Sequence, residues 1–297
     1  MQGAARRRSY RLTLRGVDCV LGPRTWVMGV LNVTPDSFSD GGRFASAAQA
    51  VERGLALFAE GADVVDVGGE STRPGGAARV GAAEEIRRVV PVIQGLRAGG
   101  AGGFLSVDTT KAEVAREALD AGADIVNDVS GFAFDPALAA LVAARGVPAV
   151  LMHLRGGFDN MHVQPRYGDV AAEVMAELRA RQEGALRAGV RREQVLLDPG
   201  LGFAKDAAHS LELLARLPEL AALDRPLLLG PSRKSFIGRV LSLPVGERLM
   251  GTAAAVAACV LGGAHVVRVH DVREMAQVAR MCDAILCSSV LGGVGVS

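Results

Sequence analysis

The sequence predicts an α/β fold, a single TIM (β/α)8 barrel with a short N-terminal β-hairpin. Short apolar runs alternate along the chain with amphipathic stretches rich in Ala, Leu, Arg and Glu, as parallel strands and their covering helices do. Eight such units fit within about 270 residues, which is the number and size typical of this barrel. A doubly wound open sheet is the alternative, but its usual complement of about six strands would leave units over.

The hairpin comes first, at about residues 8–22, with strand-like runs at 10–14 and 19–21. The barrel strands follow as short apolar runs, which we place at 26–31, 63–67, 104–107, 124–127, 149–152, 195–197, 227–229 and 265–269. The helical patterns that follow them are placed at 45–60, 82–98, 111–121, 136–145, 169–188, 208–217, 248–261 and 272–281. No linker-like composition or repeat divides the chain, so we expect one domain over residues 1–297.

The composition limits the class of protein. The chain has 297 residues, of which 49% are hydrophobic, and a formal net charge of +1. This near-neutral balance argues against a protein that binds nucleic acid or an anionic membrane through a broad basic field. Of the 33 basic residues only Lys111, Lys205 and Lys234 are Lys. In a chain that otherwise uses Arg, a retained Lys is a candidate for chemistry that a guanidinium cannot perform.

Two features predict where the protein is found. Arg6, Arg7 and Arg8 are not followed by the apolar run of a secretory signal. The four cysteines include no C-x-x-C pair, and no His lies at zinc-ligand spacing from them. We therefore expect a cytoplasmic protein with reduced thiols.

Polar side chains follow every predicted strand, and active sites of this barrel lie at the carboxyl ends of the strands. A single such residue is more often a helix cap or a turn former than a functional group. When polar residues follow all eight strands, a functional role becomes the better explanation. Each helix needs only one cap, so capping cannot account for all of these residues. The residues are Asn32, Glu70, Asp108, Asn127, Asp128, His153, Asp198, Ser232, Lys234, Arg268 and His270.

The types of these side chains indicate the ligand. Cationic and donor groups at one barrel mouth are typical of an anion or phosphate site. Asn32 and the carboxylates offer the oxygen ligands that suit Mg²⁺, which would hold a diphosphate. The cationic and donor residues are Arg73, Arg233, Lys234, Arg268 and His270.

A second set of side chains mixes acceptors and donors, as a pocket that reads the edge of a flat, nitrogen-rich heterocycle needs to do. It consists of Asp108, Asn127, Asp198 and Lys234. Two long loops rich in Gly and Pro, at 32–42 and 68–76, follow the first two strands. Their composition predicts lids that reorder around a ligand, although mobile solvent loops are the alternative interpretation.

Eight segments of the chain resemble the dihydropteroate synthases of folate biosynthesis, and the likeness extends from Trp26 to Met281. The first, second and seventh segments are highly specific. The segments are MGVLNVTPDSFSDGG (28–42), DVGGESTRPG (66–75), SVDTTKAEVA (106–115), IVNDVSG (125–131), LMHLRG (151–156), LDPGLGFAK (197–205), GPSRKSFIG (230–238) and RVHDV (268–272).

The resemblance implies that 6-hydroxymethyl-7,8-dihydropterin diphosphate condenses with p-aminobenzoate to give 7,8-dihydropteroate and pyrophosphate. It further implies Mg²⁺ as cofactor and a homodimer formed by helices near the C-terminus. The implied pterin residues are Asp108, Asn127, Met152, Asp198 and Lys234, and the catalytic set is Asp108, Asp198, Lys234, Arg268 and His270. The implied p-aminobenzoate residues are Thr72, Arg73, Pro74, Phe203, Lys234 and Ser235. The diphosphate would meet Asn32, Arg73, Arg268 and His270, with Asn32 also at the metal.

The implied mechanism is an SN1-like loss of pyrophosphate assisted by Mg²⁺. Arg268 and His270 would neutralise the leaving group, and the negative potential of Asp108 and Asp198 would favour the pterin cation. The arylamine then attacks without a tuned general base, in agreement with the lack of a Ser/His/Asp or Cys/His arrangement in the sequence.

Two alternatives stay open at this point. A pterin-binding methyltransferase shares the barrel and the pterin pocket, but it has no need of the Ser-Thr-Arg-Pro-Gly and Ser-Arg-Lys-Ser segments. A catalytically silent pterin-binding homologue should have lost a lid or anion residue, and none is lost. Glu70, Lys111, Lys205 and the segment 154–168 have no role assigned from the sequence.

Overall fold

The barrel is visible in the computed structural model, which describes residues 7–34, 43–71, 79–157 and 166–291, with side chains left undescribed at 43–46 and 289–291. Two antiparallel strands, β1 (Tyr10–Leu14) and β2 (Val17–Leu21), form the N-terminal hairpin. The barrel strands are β3 (Trp26–Asn32), β4 (Val64–Gly68), β5 (Phe104–Asp108), β6 (Ile125–Asp128), β7 (Ala149–Met152), β8 (Val195–Asp198), β9 (Leu228–Leu229) and β10 (Val266–Val269).

The eight barrel strands are parallel and are ordered β8-β7-β6-β5-β4-β3-β10-β9. A parallel bridge between Leu197 and Leu227 joins the two ends of this sheet and closes the barrel. The covering helices are α1 (Arg43–Ala59), α2 (Ala82–Ala98), α3 (Ala112–Asp120), α4 (Ala137–Arg145), α5 (Val170–Arg187), α6 (Ala207–Ala215), α7 (Ser235–Leu241), α8 (Leu249–Leu261) and α9 (Val272–Leu291). The predicted fold class is confirmed.

Alternation along the strands produces two cores. In β4, Val65 and Val67 belong to the large core between strands and helices, whereas Val64 belongs to a smaller core inside the barrel. This is the period of two that a strand imposes on its side chains. The inner core consists of Leu12, Leu14, Leu21, Trp26, Met28, Val64, Ile125, Val150, Leu196, Leu228 and Val266.

The hairpin fills the bottom of the barrel. Leu12, Leu14 and Leu21 are at most 2% exposed and pack into the inner core, whereas Val17 and Val20 face outward. Leu12 and Leu14, two positions apart on β1, and Leu21 at the end of β2 therefore extend the inner core at the bottom of the barrel. Among the described residues, none of the helices combines the length and the apolar character that crossing a bilayer requires.

Two helices differ from the prediction. Helix α7 lies between β9 and α8, where the apolar periodicity predicts no helix, although the resemblance implies a helix start at Ser235. Helix α9 reaches Leu291, well beyond the predicted end at residue 281. The unit after β9 thus has two helices, and the first of them begins directly after Lys234.

Candidate active site

A cavity of about 360 Å³ lies at the carboxyl ends of the barrel strands. All ten described residues to which the resemblance assigns a role line this cavity, whereas Asp128 and His153, also predicted at the strand ends, do not. The ten are Asn32, Asp108, Asn127, Met152, Asp198, Phe203, Lys234, Ser235, Arg268 and His270. Thr72, Arg73 and Pro74, and most of the two predicted lid loops, lie outside the described residues.

Strand periodicity explains why these side chains meet. Asn127, Met152, Asp198 and Arg268 each follow an inner-core residue by two positions, so they point into the barrel one layer above that core. The hairpin and the inner core thus form the floor of the cavity, and the next layer of the barrel interior forms its polar walls.

Arg268, on β10, forms ion pairs with the carboxylates of Asp66 on β4 and Asp108 on β5. Its Nε donates to Asp66 Oδ2 at 2.6 Å and its Nη2 to Asp108 Oδ2 at 2.7 Å. Asn127 Nδ2 also donates to Asp66 Oδ2, at 2.9 Å. Asp66 therefore holds a guanidinium and an amide in place from a fully buried position on β4.

Asp66 is the site residue that sequence reasoning missed. It lies within the DVGGESTRPG segment, but no role was assigned to it. The sequence does contain a pattern that indicates it. Asp66 is a charged residue two positions after Val64, in a strand whose other side chains are all Val, so it is an acid at an inward-facing position. Its Oδ1 atom is buried without a hydrogen-bond partner, which leaves one acceptor for a ligand.

Burial shifts the pKa values of two acids and one Lys in the cavity toward 7. It raises the pKa of Asp108 to about 7, against the lowering effect of Arg268 and with the help of nearby Asp66. It raises the pKa of Asp198 to about 6, although the Gly200 amide donates to Oδ1 at 2.7 Å. It lowers the pKa of Lys234 to about 8. Burial in the cavity therefore disfavours the charged forms of these three side chains. A ligand that donates to or accepts from them would stabilise those charged forms.

Lys234 lies against an aromatic ring. Its Nζ is 3.9 Å from the centroid of the Phe203 ring, a cation–π distance, and the charge of Asp198 favours its ammonium form. The segment after β8 and the segment after β9 therefore meet at this pair, between the predicted subsites for the pterin and for p-aminobenzoate.

His270 is oriented by the segment after β9. The Ser232 hydroxyl lies 3.0 Å from Nδ1 of His270 and accepts the His270 backbone amide at 3.2 Å. Arg233, which the sequence grouped with the cationic set, instead pairs through Nε with Asp271 Oδ2 at 3.1 Å. The unpaired positive charge at this side of the mouth is consequently smaller than the sequence indicated.

Glu70 and Lys111, left without a role by the sequence, form one buried cluster. Lys111 Nζ donates to Glu70 Oε2 at 2.7 Å and to Glu85 Oε2 at 2.5 Å, and Glu70 Oε1 accepts the Val80 amide at 2.7 Å. Glu70, near the start of the second Gly-rich loop, thus connects Val80 beyond that loop to Lys111 at the start of α3. It also lines the cavity.

The donor set was tested for a metal ion. Among the residues that the structure describes, no group of three or more His, Cys, Asp or Glu side chains could hold one. Asn32 and Asp108 both line the cavity beside Gly68, where a Cβ would lie 3.7 Å from Asn32 Oδ1 and 3.5 Å from Asp108 Cβ. A Mg²⁺ ion that keeps water and diphosphate oxygens as most of its ligands fits one such amide oxygen.

Comparison with known proteins agrees with this site. The family model described as pterin binding enzyme matches residues 28–270. Dihydropteroate synthase of Mycobacterium leprae is 51% identical over 88% of this chain and 93% of its own length, and that of Synechocystis is 49% identical over 89% and 91%. A structure of Xanthomonas albilineans dihydropteroate synthase with 4-aminobenzoic acid superposes with a TM-score of 0.86 at 44% identity, covering 94% of this chain and 98% of that one. The chain therefore belongs to the dihydropteroate synthase family of pterin binding enzymes.

Proposed function

We propose that this protein condenses 6-hydroxymethyl-7,8-dihydropterin diphosphate with p-aminobenzoate, giving 7,8-dihydropteroate and releasing pyrophosphate. The observation that carries the proposal is one cavity that collects buried carboxylates, an amide, a Lys and an Arg beside a His. The identity of about half with dihydropteroate synthases supports this reaction over methyl transfer and over a silent homologue.

The pterin lies deepest, between the polar groups of β5, β6 and β8. Asp108 and Asp198 accept its N–H groups, while Asn127 and Lys234 serve its acceptor atoms. Met152, which is buried beside Val129 and Leu154, packs on the ring. Each of the buried polar groups then gains a partner, so binding relieves the burial penalty described above.

The diphosphate lies at the mouth, on Arg268, His270 and Asn32. Arg268 is held from behind by Asp66 and Asp108, and His270 by Ser232. Asn32 would provide the protein oxygen for Mg²⁺, which when bound would neutralise part of the pyrophosphate charge. Arg73 is proposed here from its motif alone, since it lies outside the described residues.

The reaction is an SN1-like transfer. Arg268 and His270 stabilise the departing pyrophosphate while the bond from its oxygen to the pterin methylene breaks. The carboxylates of Asp108 and Asp198 provide the negative potential that the electron-poor pterin cation requires. The arylamine nitrogen then bonds to the methylene carbon and loses a proton to the solvent or the leaving group.

The p-aminobenzoate ring packs beside Phe203 and Lys234, and its carboxylate meets Ser235 at the start of α7. Thr72, Arg73 and Pro74 complete this subsite by their motif. The arylamine consequently approaches from the side of the cavity where the segments after β8 and β9 meet.

We test the reaction by mixing purified protein with the dihydropterin diphosphate, p-aminobenzoate and Mg²⁺ and measuring pyrophosphate and dihydropteroate. Both products should form in equal amounts, and Asp198→Asn should form neither at a comparable rate. Methyl transfer from a methylated pterin without pyrophosphate release would support the methyltransferase alternative, and pterin binding without turnover would support the silent homologue.

We also propose a cytoplasmic homodimer. Large apolar side chains are exposed on α8 and α9, with Met250 at 77% and Met281 at 62%. The four free cysteines suit a reducing compartment. Replacing Met281 by Glu should shift the protein toward the monomer in light scattering after size exclusion, while the same change at exposed Val20 of the hairpin should not. A dimer that is equally stable in both variants would place the interface elsewhere.

A further inference from the structure

Lys205 is a buried cation that the proposed reaction does not use. The residue is 6% exposed, and its Nζ is surrounded by three acceptors. These are His153 Nδ1 at 2.8 Å, the Gly200 carbonyl oxygen at 3.1 Å and the Phe203 carbonyl oxygen at 3.1 Å. Three acceptors match the three N–H donors of an ammonium group, although burial lowers the pKa of Lys205 to about 7.

The His153 acceptor is itself held in one tautomer. An ammonium group only donates, so Nδ1 accepts from Lys205 and the proton lies on Nε2, which is 3.0 Å from Glu177 Oε2. Glu177 also accepts from Arg155 Nε at 2.8 Å. Since burial lowers the pKa of His153 to about 4, this imidazole stays a neutral acceptor at neutral pH.

The carbonyl groups that Lys205 binds belong to the β8 loop, which we define as residues 199–204. Gly200 and Gly202 have positive φ angles, which glycine adopts readily, but Ala204 also has a positive φ, of +47°. This strained conformation of Ala204 persists only where its surroundings hold it. Lys205 binds two of its carbonyl groups, and the Tyr167 hydroxyl donates to a third, that of Ala204, at 2.9 Å.

The β8 loop carries two groups of the site. Its Gly200 amide donates to Asp198, and its Phe203 ring lies on Lys234. We propose that Lys205 is a positioning residue for the reaction, whose buried ammonium fixes the β8 loop and thereby sets Asp198 and Phe203 relative to Lys234. Glu177 and His153 act through Lys205, and none of the three touches the substrate.

The role of Lys205 rests on the proposed function, because its kinetic test measures the proposed reaction with p-aminobenzoate. In Lys205→Met, which keeps the unbranched side chain as far as Cε and removes only the ammonium, kcat/KM for p-aminobenzoate should fall on the order of tenfold to a hundredfold, mostly through KM. Ile93→Ala, which shortens a side chain buried in the outer core on α2, is the control for lost stability. At a temperature well below both melting points, its kinetics should match those of the wild type.

A pH profile separates positioning from packing. Lys205, Lys234 and Arg268 are the cations whose charges lower the pKa of Asp198. Losing the Lys205 ammonium should therefore move the acid limb of pterin binding to higher pH, which a purely structural residue would not do. An acid limb at the same pH in Lys205→Met would contradict the inference.

A matched pair at His153 keeps the inference testable even if Lys205→Met does not fold. His153→Asn retains an acceptor near the position of Nδ1, whereas His153→Leu retains none, and both lose the contact with Glu177. The Asn variant should keep most of the affinity for p-aminobenzoate and the Leu variant should not. Equal losses in the two variants would overturn the inference.

Hydrogen exchange distinguishes failure of the inference from failure of the proposed function. Amides of the β8 loop should exchange faster in Lys205→Met and in His153→Leu than in the wild type, whatever reaction the protein catalyses. If the wild type forms no dihydropteroate but the β8 loop still loosens in these variants, the proposed function is wrong and the anchoring by Lys205 stands. Unchanged exchange together with wild-type kinetics would overturn the inference itself.

Discussion

The chemistry of single residues in the cavity depends on burial. Asp198 with a pKa near 6 and Lys234 with a pKa near 8 are both charged only within a narrow range around neutrality. Both charges have a use in the proposed pterin subsite, because the carboxylate would accept from the pterin and the ammonium would donate to it. Asp198 and Lys234 are therefore ready to exchange solvent for a ligand, unlike Arg268, which is held in ion pairs with Asp66 and Asp108.

Pterin binding should have a bell-shaped pH dependence. Protonation of Asp108 and then of Asp198 weakens binding as the pH falls through about 7 and about 6, and deprotonation of Lys234 weakens it as the pH rises through about 8. For each group that titrates we expect affinity to change by up to about tenfold per pH unit. Calorimetric titration with a pterin from pH 5 to 9.5 measures both limbs, and a flat profile would contradict the assignment of these residues.

Asp198→Asn should abolish measurable pterin binding and change stability little. The variant loses a carboxylate whose burial is unfavourable, and it also loses the attraction of that carboxylate for Lys234, so the two effects oppose each other. We expect the free energy of unfolding at pH 7.5 to change by less than about 1 kcal/mol. Urea unfolding checks the stability and calorimetry checks the binding. Undiminished pterin affinity would remove Asp198 from the proposed subsite.

The sequence predicted which residue types surround the cavity better than it predicted their pairing. Strand ends and motifs placed Asp108, Asn127 and Arg268 at one mouth, because every one of them follows a buried strand. The alternation along β4 indicates that Asp66 points inward, but it does not indicate the pairing with Arg268. The pairing of Lys111 with Glu85 depends on how α2 packs against the start of α3. Such pairings are contacts between distant parts of the chain, and no local pattern records them.

At the scale of elements, the segment between β8 and α6 is the most constrained part of the site. Gly200 has a φ of +69°, and a Cβ at this position would lie 2.2 Å from the carbonyl oxygen of His153. The backbone of the β8 loop therefore passes against the end of β7 with no room for a side chain. This close approach lets Lys205 and His153 meet below the loop.

Gly200→Ala should be much more destabilising than Gly100→Ala. Both glycines have a similar positive φ, +69° and +77°, but nothing lies within 4 Å of a Cβ at Gly100. The backbone conformation alone costs each variant roughly 1–2 kcal/mol, and the clash with His153 adds roughly 1–3 kcal/mol at Gly200 only. Urea unfolding measures the difference, and equal losses would mean that the loop moves aside freely.

Elements are also where the sequence prediction was weakest. The apolar periodicity missed helix α7 because the helix has only seven residues and follows the turn formers Gly230, Pro231 and Ser232. The helix is nevertheless held, since Arg248 Nε donates to the Leu243 carbonyl oxygen and its Nη1 to the Arg233 carbonyl oxygen, at 3.0 and 3.1 Å. These hydrogen bonds from Arg248 stabilise the ends of α7 despite the preference of the preceding residues for a turn. The hydrophobic periodicity of the sequence does not reveal such contacts.

For the whole molecule, the hairpin and the barrel share one interior. Leu12, Leu14 and Leu21 complete a core to which most of the barrel strands contribute. We propose on this basis that residues 1–297 form a single domain, in which the hairpin is a required part of the barrel.

Leu14→Ala should therefore destabilise the entire barrel. Leu14 is 1% exposed, and shortening such a side chain costs about 2–5 kcal/mol. Val17→Ala, on the same hairpin but 58% exposed, should change stability by less than about 0.5 kcal/mol. Unfolding should stay a single transition in both variants when followed by fluorescence of Trp26 and by circular dichroism. A separate early transition in Leu14→Ala would show that the hairpin unfolds on its own.

The scarcity of Lys has a consequence for chemical labelling. None of the chain's three lysines is largely exposed, since Lys205 is buried, Lys234 faces the cavity and the Lys111 side chain, paired with Glu70 and Glu85, is only 18% exposed. An amine-directed reagent therefore meets no Lys on the outer faces of the helices, where Arg supplies the positive charge. With its pKa near 8, Lys234 is the side-chain amine that such a reagent should modify first, and a bound pterin should shield it. A general surface label thus becomes a reporter of ligand occupancy in this protein.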